Sequence, residues 1–243
     1  MSEPLYFAYG SNLDEGQMRK RCPGMRVAGV ATLPDHAIAF AGHSEACGGA
    51  TATVVARPGT AVPGLLFLLG EADWRRLDHR EGFPTVYVKH PMEVRDARDA
   101  RIAVNTYVHT RLPGGRPGTD YLTRIRNAYA RLGLDEVQLL LAAGELVRLF
   151  VYGTLRRSEQ NHRQMAGLRC LGAARTRAAY TRIDLGAFPG LLEGGKDEVA
   201  GELYAVDADA LARLDRFEGH PTLFERGSIE LSDGSSAEAY VCR

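Results

Sequence analysis

The chain has 243 residues, of which 45% are hydrophobic and 25% are charged, and its 30 basic side chains equal its 30 acidic ones. This length allows one large or two small domains, each able to bury a core of its own. The neutral balance gives no reason to expect a nucleic acid or a membrane surface as a partner, and no apolar run approaches the roughly 20 residues of a membrane helix.

The first half of the chain predicts a mixture of strands and helices. Apolar and alternating runs predict strands at residues 4–9, 27–33, 36–40, 51–56, 62–69, 86–94 and 101–109. Spacing and capping residues predict helices at residues 71–78, 119–132 and 135–141, and a basic helix or turn is predicted at residues 14–21. The Pro34-Asp35 and Arg57-Pro58-Gly59 segments are interpreted as breaks between strands.

The second half repeats this plan in a shorter form. Strands are predicted at residues 149–152, within 170–180, and at 201–206, 223–231 and 237–242, with a turn at 186–190 and a helix at 208–215. The segment Ala142-Ala143-Gly144 precedes the repeated plan, so we expect domains at residues 1–143 and 146–243. Because the linker is so short, the two domains are expected to pack on each other.

One sparse pair of motifs occurs in both halves. Tyr9-Gly10-Ser11-Asn12-Leu13 is followed much later by Leu77-Asp78-His79-Arg80-Glu81-Gly82-Phe83-Pro84. Tyr152-Gly153-Thr154-Leu155 is followed by Leu214-Asp215-Arg216-Phe217-Glu218-Gly219-His220-Pro221. Glu81 and Glu218 lie 137 positions apart, and Gly64 and Gly201 match at the same offset. This long period indicates a duplication into two domains.

Glu81 and Glu218 are the candidate catalytic residues. A single glutamate before a turn is most often an ordinary exposed acid. Here, however, the acid recurs while its neighbours change, His79-Arg80 in one half and Arg216-Phe217 in the other. Recurrence at a fixed place among altered neighbours favours a chemical role over a surface one.

The two Tyr-Gly loops are the candidate binding segments. A buried strand that ends at a glycine and turns presents several backbone N–H groups, and such a nest binds a carboxylate well. A glutamate that faces an N–H cradle suits proton transfer on an anionic, amino-acid-like substrate. The predicted binding residues are therefore Tyr9, Gly10, Ser11, Asn12 and Leu13 in the first half and Tyr152, Gly153, Thr154 and Leu155 in the second.

Other kinds of site find little support in the sequence. It has no phosphate-binding loop, dinucleotide fingerprint or nucleophile elbow. The seven histidines are scattered and the four cysteines form no CxxC pair, so a metal site is not expected. Free thiols, with no secretory signal at the start of the chain, predict a reducing, cytoplasmic location.

Both halves resemble the γ-glutamylcyclotransferase superfamily. The first half carries the sequence LYFAYGSNL at residues 5–13, Glu81-Gly82 and a helical tail near Tyr121, and it is similar to γ-glutamylcyclotransferase. The second half is similar to the γ-glutamylamine cyclotransferase/AIG2-like branch. That likeness rests on Val151-Tyr152-Gly153-Thr154-Leu155, Asn161-His162, Phe188-Pro189, Gly201-Glu202-Leu203-Tyr204 and Glu218-Gly219.

The resemblance implies both a fold and a reaction. The fold would be α+β, with two domains that are each a small mixed β-barrel with flanking helices. The reaction would convert a γ-glutamyl amide, either a peptide, an amine or a protected metabolite, into 5-oxoproline and a free amine, without a cofactor. Glu81 and Glu218 would then be the general acid/base groups, and Tyr121 would join the Tyr-Gly residues in binding the small γ-glutamyl substrate.

Two alternatives stay open from the sequence. The chain could be a binding or assembly module of the same fold, or only one of its two sites could be active. If both are active, the extra tail with Tyr121 predicts γ-glutamyl amino acids for the first site and a bulkier or more open amine for the second.

Overall fold

The computed structural model describes residues 5–186 and 188–242. The chain divides into two compact units, Met1–Ala143 and Gly144–Arg243. Residues 1–4, 187 and 243 lie outside the described residues. They include the predicted start of the first strand and part of the predicted turn at 186–190. The predicted packing of one domain on the other stays a prediction.

A closed five-stranded barrel forms the first unit. Its strands are β1 (Leu5–Ala8), β2 (Arg26–Ser44), β3 (Gly49–Leu68), β4 (Tyr87–Asp96) and β5 (Arg101–His109). They follow each other around the barrel in the order β1-β3-β2-β4-β5, and β1 closes the ring by pairing in parallel with β5. Together with the helices that flank it, this barrel confirms the predicted α+β class.

Two of the predicted strand breaks are wrong, because β2 and β3 run continuously through them. The pairing of β2 with β3 skips a residue between Pro34 and His36, where Asp35 has φ 53°. On β3 the register passes from Ala61 to Ala56, so residues 57–60 bulge out without ending the strand. Proline and glycine here mark irregular pairing within one long hairpin, which is a usual site for both residue types.

Four helices flank the first barrel: α1 (Glu15–Arg21), α2 (Glu71–Glu81), α3 (Thr119–Leu132) and α4 (Val137–Ala143). The Tyr-Gly segment continues into a short 3-10 helix at Ser11–Leu13. The Asp14 side chain then caps α1 by accepting a hydrogen bond from the Gln17 N–H at 2.9 Å. Helix α3 has the predicted bounds, and its buried face carries Tyr121, Ile125 and Tyr129.

The described residues of the second unit form a five-stranded sheet, a hairpin, one α-helix and a short 3-10 helix at His162–Met165. The sheet has the order β11-β12-β6-β10-β7. Its strands are β6 (Val147–Val151), β7 (Arg169–Arg175), β10 (Ala200–Val206), β11 (Glu225–Glu230) and β12 (Ser236–Val241). A separate hairpin pairs β8 (Tyr180–Asp184) with β9 (Pro189–Glu193), and the helix is α5 (Ala208–Glu218).

Backbone contacts bring the two edges of the second sheet together. An isolated bridge joins Thr176, just after β7, to Leu231, just after β11. Two hydrogen bonds flank it, from Ser232 N–H to the Arg175 carbonyl at 3.0 Å and from Arg177 N–H to the Glu230 carbonyl at 2.9 Å. The second unit thus has barrel-like closure through a short contact rather than through a full strand pair.

All four cysteines are free thiols, as predicted. Within residues 5–186 and 188–242, no helix is both long and apolar enough to cross a membrane.

Candidate active sites

Each candidate glutamate is the last residue of a helix, Glu81 of α2 and Glu218 of α5. The following Gly82 and Gly219 adopt left-handed conformations with φ 65° and 67° and end the helices. The sequence predicts that these helices end three residues earlier, at Asp78 and Asp215. They extend further because a glycine in this conformation caps a helix that runs up to it. The extension places each glutamate one turn after its aspartate, on the same helical face.

The first pocket gathers most of the predicted binding residues around Glu81. It is lined by Tyr6, Tyr9, Gly10, Ser11, Asn12, Ala52, Glu81, Tyr87, Tyr107 and Tyr121. Leu13 is the exception among the predicted residues, since its side chain is fully buried in the core behind the pocket. The 3-10 helix that starts at Ser11 leaves its first N–H groups without partners inside the helix, so they can face a ligand.

Polar and cationic partners surround Glu81. Asn12 Nδ2 donates a hydrogen bond to Glu81 Oε1 at 3.0 Å, and an Arg21 guanidinium nitrogen lies 3.5 Å from the same oxygen. Arg21 also donates a hydrogen bond to the side-chain oxygen Oδ1 of Asn12. Burial raises the pKa of Glu81, while the Asn12 bond and the charges of Arg21 and Arg80 oppose the rise.

Close approach of three chain segments explains why the first loop needs a glycine. A Cβ atom added to Gly10 would lie 3.0 Å from the Ala52 Cβ and 3.5 Å from the Tyr121 hydroxyl. The Ala52 N–H in turn donates to the Tyr121 hydroxyl at 3.1 Å. Helix α3, strand β3 and the Tyr-Gly loop therefore meet at one wall of the pocket, and burial raises the pKa of Tyr121 to about 12.

The second pocket is more apolar than the first. It is lined by Phe150, Val151, Tyr152, Gly153, Thr154, Leu155, Phe188, Pro189, Glu218, Phe224 and Tyr240. All four predicted binding residues of the second half are among them. Phe188 and Phe224 pack edge to face with ring centres 5.6 Å apart, and these phenylalanine rings carry no hydroxyl, unlike the tyrosine rings that line the first pocket.

Glu218 differs from Glu81 in its surroundings. No hydrogen bond or ion pair to the Glu218 carboxylate is present within the described part of the chain. Burial alone raises the pKa of Glu218 to about 7, because the ionised form loses hydration without gaining a partner. A carboxyl with such a pKa can take up and return a proton near neutral pH.

Each unit contains a cluster of an aspartate, a tyrosine and a cationic side chain next to its glutamate, and the sequence did not predict either cluster. The Tyr107 hydroxyl donates to Asp78 Oδ1 at 2.6 Å, and Lys89 Nζ lies 2.9 Å from Asp78 Oδ2. In the second unit, the Tyr240 hydroxyl donates to Asp215 Oδ1 at 2.8 Å, and Arg226 Nε donates to the same oxygen at 2.8 Å. The available signal was the repeat itself, in which the aspartate, tyrosine and cation all return.

The motif tyrosines make the same internal bond in both units. The Tyr9 hydroxyl donates to the backbone carbonyl of Tyr107, and the Tyr152 hydroxyl donates to that of Tyr240 at 2.6 Å. Both hydroxyl protons are therefore used in holding the first strand of the unit to its last one. Tyr9 and Tyr152 line their pockets with their rings, and this contact fixes where the Tyr-Gly loops begin.

Across the described ranges 5–186 and 188–242, no group of three or more histidine, cysteine, aspartate or glutamate side chains is placed to hold a metal ion.

Comparison with known proteins gives a consistent result for both halves. A family model described as gamma-glutamyl cyclotransferase, AIG2-like, matches residues 6–123 and 149–243. A Vibrio cholerae protein provisionally named gamma-glutamylcyclotransferase is 44% identical over 88 residues, which are 36% of this chain and 76% of that protein. Gamma-glutamylaminecyclotransferase A of Danio rerio is 35% identical over 108 residues, covering 39% of this chain and 67% of that protein. A solved structure titled gamma-glutamyl cyclotransferase aligns with a TM-score of 0.54 and 29% identity, covering 58% of this chain and 86% of its own.

Proposed function

Since the chain belongs to the gamma-glutamyl cyclotransferase, AIG2-like family, we propose that each of its two domains converts a γ-glutamyl amide to 5-oxoproline and a free amine. Glu81 and Glu218 are the general acid/base groups in this proposal. The observation that carries it is the repeated placement of a glutamate with a raised pKa in a pocket beside a Tyr-Gly loop.

The reaction needs no nucleophile from the protein, because the substrate supplies its own. The α-nitrogen of the glutamyl group attacks the γ-carbonyl carbon, a C–N bond closes the five-membered ring, and the amide C–N bond to the leaving amine breaks. Two protons leave the attacking nitrogen, and the departing amine gains two. The glutamate takes the first proton from the α-ammonium group and delivers it to the leaving nitrogen, and the second proton passes from the ring nitrogen to the departing amine by way of the same carboxylate.

The pocket contributes mainly by holding the substrate in a folded conformation. Intramolecular attack is fast only when the reacting atoms are held close together in a favourable orientation. In this proposal the N–H groups of Ser11 and Asn12 bind the α-carboxylate, and Glu81 and the tyrosines that also line the pocket surround the rest of the substrate. The corresponding volume in the second unit lies between Gly153, Thr154 and Glu218.

A binding module of the same fold is the rival function, and a turnover assay separates the two. The test is to incubate the protein with γ-glutamylalanine and with a γ-glutamylamine, and to quantify 5-oxoproline and the released amine. The proposal predicts equal molar amounts of both products. A protein that binds these ligands but forms no 5-oxoproline would contradict the proposal. Complete loss of activity when only one of the two glutamates is replaced would show that a single site is active.

The two sites are expected to have different pH profiles. Each site is isolated by replacing the other site's glutamate with Gln, and a general base works only when it is ionised. With Glu218 alone, kcat/KM should therefore rise with pH through about 7, the pKa of that group. With Glu81 alone, the rise should occur at lower pH, because Asn12, Arg21 and Arg80 favour the ionised form.

Replacing Arg21 by Met provides the matched test of that electrostatic cause. Without the guanidinium, the rise in kcat/KM at the first site should move to higher pH, towards that of the second site. Two isolated sites with the same pH profile, or a first-site profile unmoved by this substitution, would contradict the explanation.

Unequal substrate preference is also expected. The first pocket is rich in tyrosines and its glutamate contacts Arg21, whereas the second pocket is lined by phenylalanines and only burial shifts the pKa of its glutamate. We therefore expect γ-glutamyl amino acids to be preferred at the first site and bulkier amines without a carboxylate at the second. Steady-state kinetics of the two isolated sites with both substrate types measures this, and identical rankings would count against it.

A further inference from the structure

The Asp-Tyr-cation clusters have a geometry that a purely structural role does not require. Asp78 and Asp215 lie one helical turn before the catalytic glutamates on the same face, so each cluster adjoins the reacting carboxylate. Tyr107 and Tyr240 come from the last strand of each barrel-like sheet and are almost fully buried, yet both line the pockets.

Each of these tyrosine hydroxyls has a fixed hydrogen-bonding direction. A phenol has one proton, and here that proton is donated to an aspartate side-chain oxygen at 2.6 Å or 2.8 Å. Lys89 and Arg226 lie against the aspartates and stabilise their charge. Burial acts to raise the pKa of Asp215, but the bonds from Arg226 and Tyr240 outweigh burial and hold that pKa below its usual range. The oxygen of each tyrosine is thereby left as a hydrogen-bond acceptor, and the bond to a carboxylate polarises it.

The substrate brings a donor that needs such an acceptor. An α-ammonium group carries three protons, and a buried ammonium that satisfies only one of them loses much of its hydration without replacement. Glu81 or Glu218 accepts a hydrogen bond from one of these three N–H groups. In the second pocket the Thr154 hydroxyl already accepts a bond from Asn161 Nδ2 at 3.1 Å, and the Tyr152 proton points to a backbone carbonyl.

We propose that the hydroxyl oxygens of Tyr107 and Tyr240 accept a hydrogen bond from the substrate's α-ammonium group and so orient the attacking nitrogen between tyrosine and glutamate. Asp78 and Asp215 are positioning residues in this arrangement, because they act only by fixing the direction of the tyrosine proton. The inference rests on the proposed function and adds the groups that aim the nucleophile.

The test compares two ligands that differ only in the α-amine. γ-Glutamylalanine carries the amine, whereas glutarylalanine has hydrogen in its place, cannot cyclise and serves as a competitive inhibitor. The measurement uses the full chain with Glu218 replaced by Gln, so that only the first site works.

In Tyr107→Phe, kcat/KM for γ-glutamylalanine should fall about 10- to 100-fold, as expected for a lost bond to a charged group. The inhibition constant of glutarylalanine should change less than about threefold, because that ligand never makes the bond.

Tyr129→Phe is the matched control, since it removes a buried hydroxyl that has no partner in the described structure and does not line the pocket. It should change neither value. Asp78→Ala provides a second variant that keeps the Tyr107 hydroxyl but frees its proton to turn. It should also weaken only the amine-bearing ligand.

Failure of the inference and failure of the proposed function are distinguishable. A wild-type chain that forms no 5-oxoproline would overturn both. An active wild type would overturn the inference alone if Tyr107→Phe weakened both ligands equally or left kcat/KM unchanged. The same comparison with Tyr240→Phe in the Glu81→Gln chain examines the second site.

Discussion

Replacing Glu81 or Glu218 by Gln is expected to abolish the activity of that site while leaving the other site active. Glutamine keeps the size of the side chain but cannot take a proton from the α-ammonium group. The expected loss at the altered site is roughly 10²–10⁴-fold, the usual contribution of one acid–base group. The double variant should form no 5-oxoproline above background, as measured by steady-state release of product.

Matched controls for these substitutions lie on the surface of the same domains. Glu71→Gln changes an exposed glutamate on the helix that carries Glu81, and Glu230→Gln changes an exposed one on β11. Both should keep wild-type rates, because surface ion pairs contribute little to folding. A double Glu81→Gln/Glu218→Gln chain that turns over substrate at the wild-type rate would show that the glutamates are not the proton-transfer groups.

A single methyl group at Gly64 or Gly201 is expected to destabilise its domain severely. At each position an added Cβ would come within 3.0 Å of a backbone carbonyl and an aromatic ring on the neighbouring strand, Ala8 and Phe7 in the first unit, Val151 and Phe150 in the second. Backbone cannot yield as a flexible side chain can, so Gly→Ala should cost about 1–3 kcal/mol or more. Urea or thermal unfolding followed for the altered domain measures this.

Gly70→Ala and Gly227→Ala are the corresponding controls, since an added Cβ at either position meets nothing within 4 Å. Their unfolding midpoints should stay close to that of the wild type. Because Gly64 lies in β3 opposite β1, and Gly201 lies in β10 opposite β6, the same close strand approach sits under both Tyr-Gly loops. An unchanged unfolding midpoint for Gly64→Ala would contradict the close approach of β3 to β1 at this glycine.

Secondary structure was predictable where local pattern decides it. Helix α3 has the expected bounds because its apolar face and the following Gly133 are both local signals. The long strands β2 and β3 were divided at Pro34 and Pro58, because a proline indicates a break unless the pairing partner is known. The sequence does not predict the β8–β9 hairpin as two strands, since Ile183, the only apolar residue after the tyrosine in Tyr180–Asp184, does not alternate with it.

The candidate sites were predictable only as far as the repeat could be interpreted. Two short motifs that recur 137 positions apart pointed to Glu81, Glu218 and the Tyr-Gly loops. Asp78 and Tyr107 recur equally well, but nothing local separates a buried tyrosine that packs from one that bonds to an aspartate. Arg21 could not be found at all, because its contact with Glu81 depends on how α1 lies against α2.

The most direct measurement of the central claim is a turnover experiment in water enriched in heavy oxygen. If the substrate's own amine attacks the γ-carbonyl, γ-glutamylalanine should yield unlabelled 5-oxoproline and an equal amount of alanine, and the Glu81→Gln/Glu218→Gln chain should yield neither. Glutamate carrying one heavy oxygen would mean that water attacks instead and would contradict the account, as would unlabelled 5-oxoproline formed equally fast by the double variant.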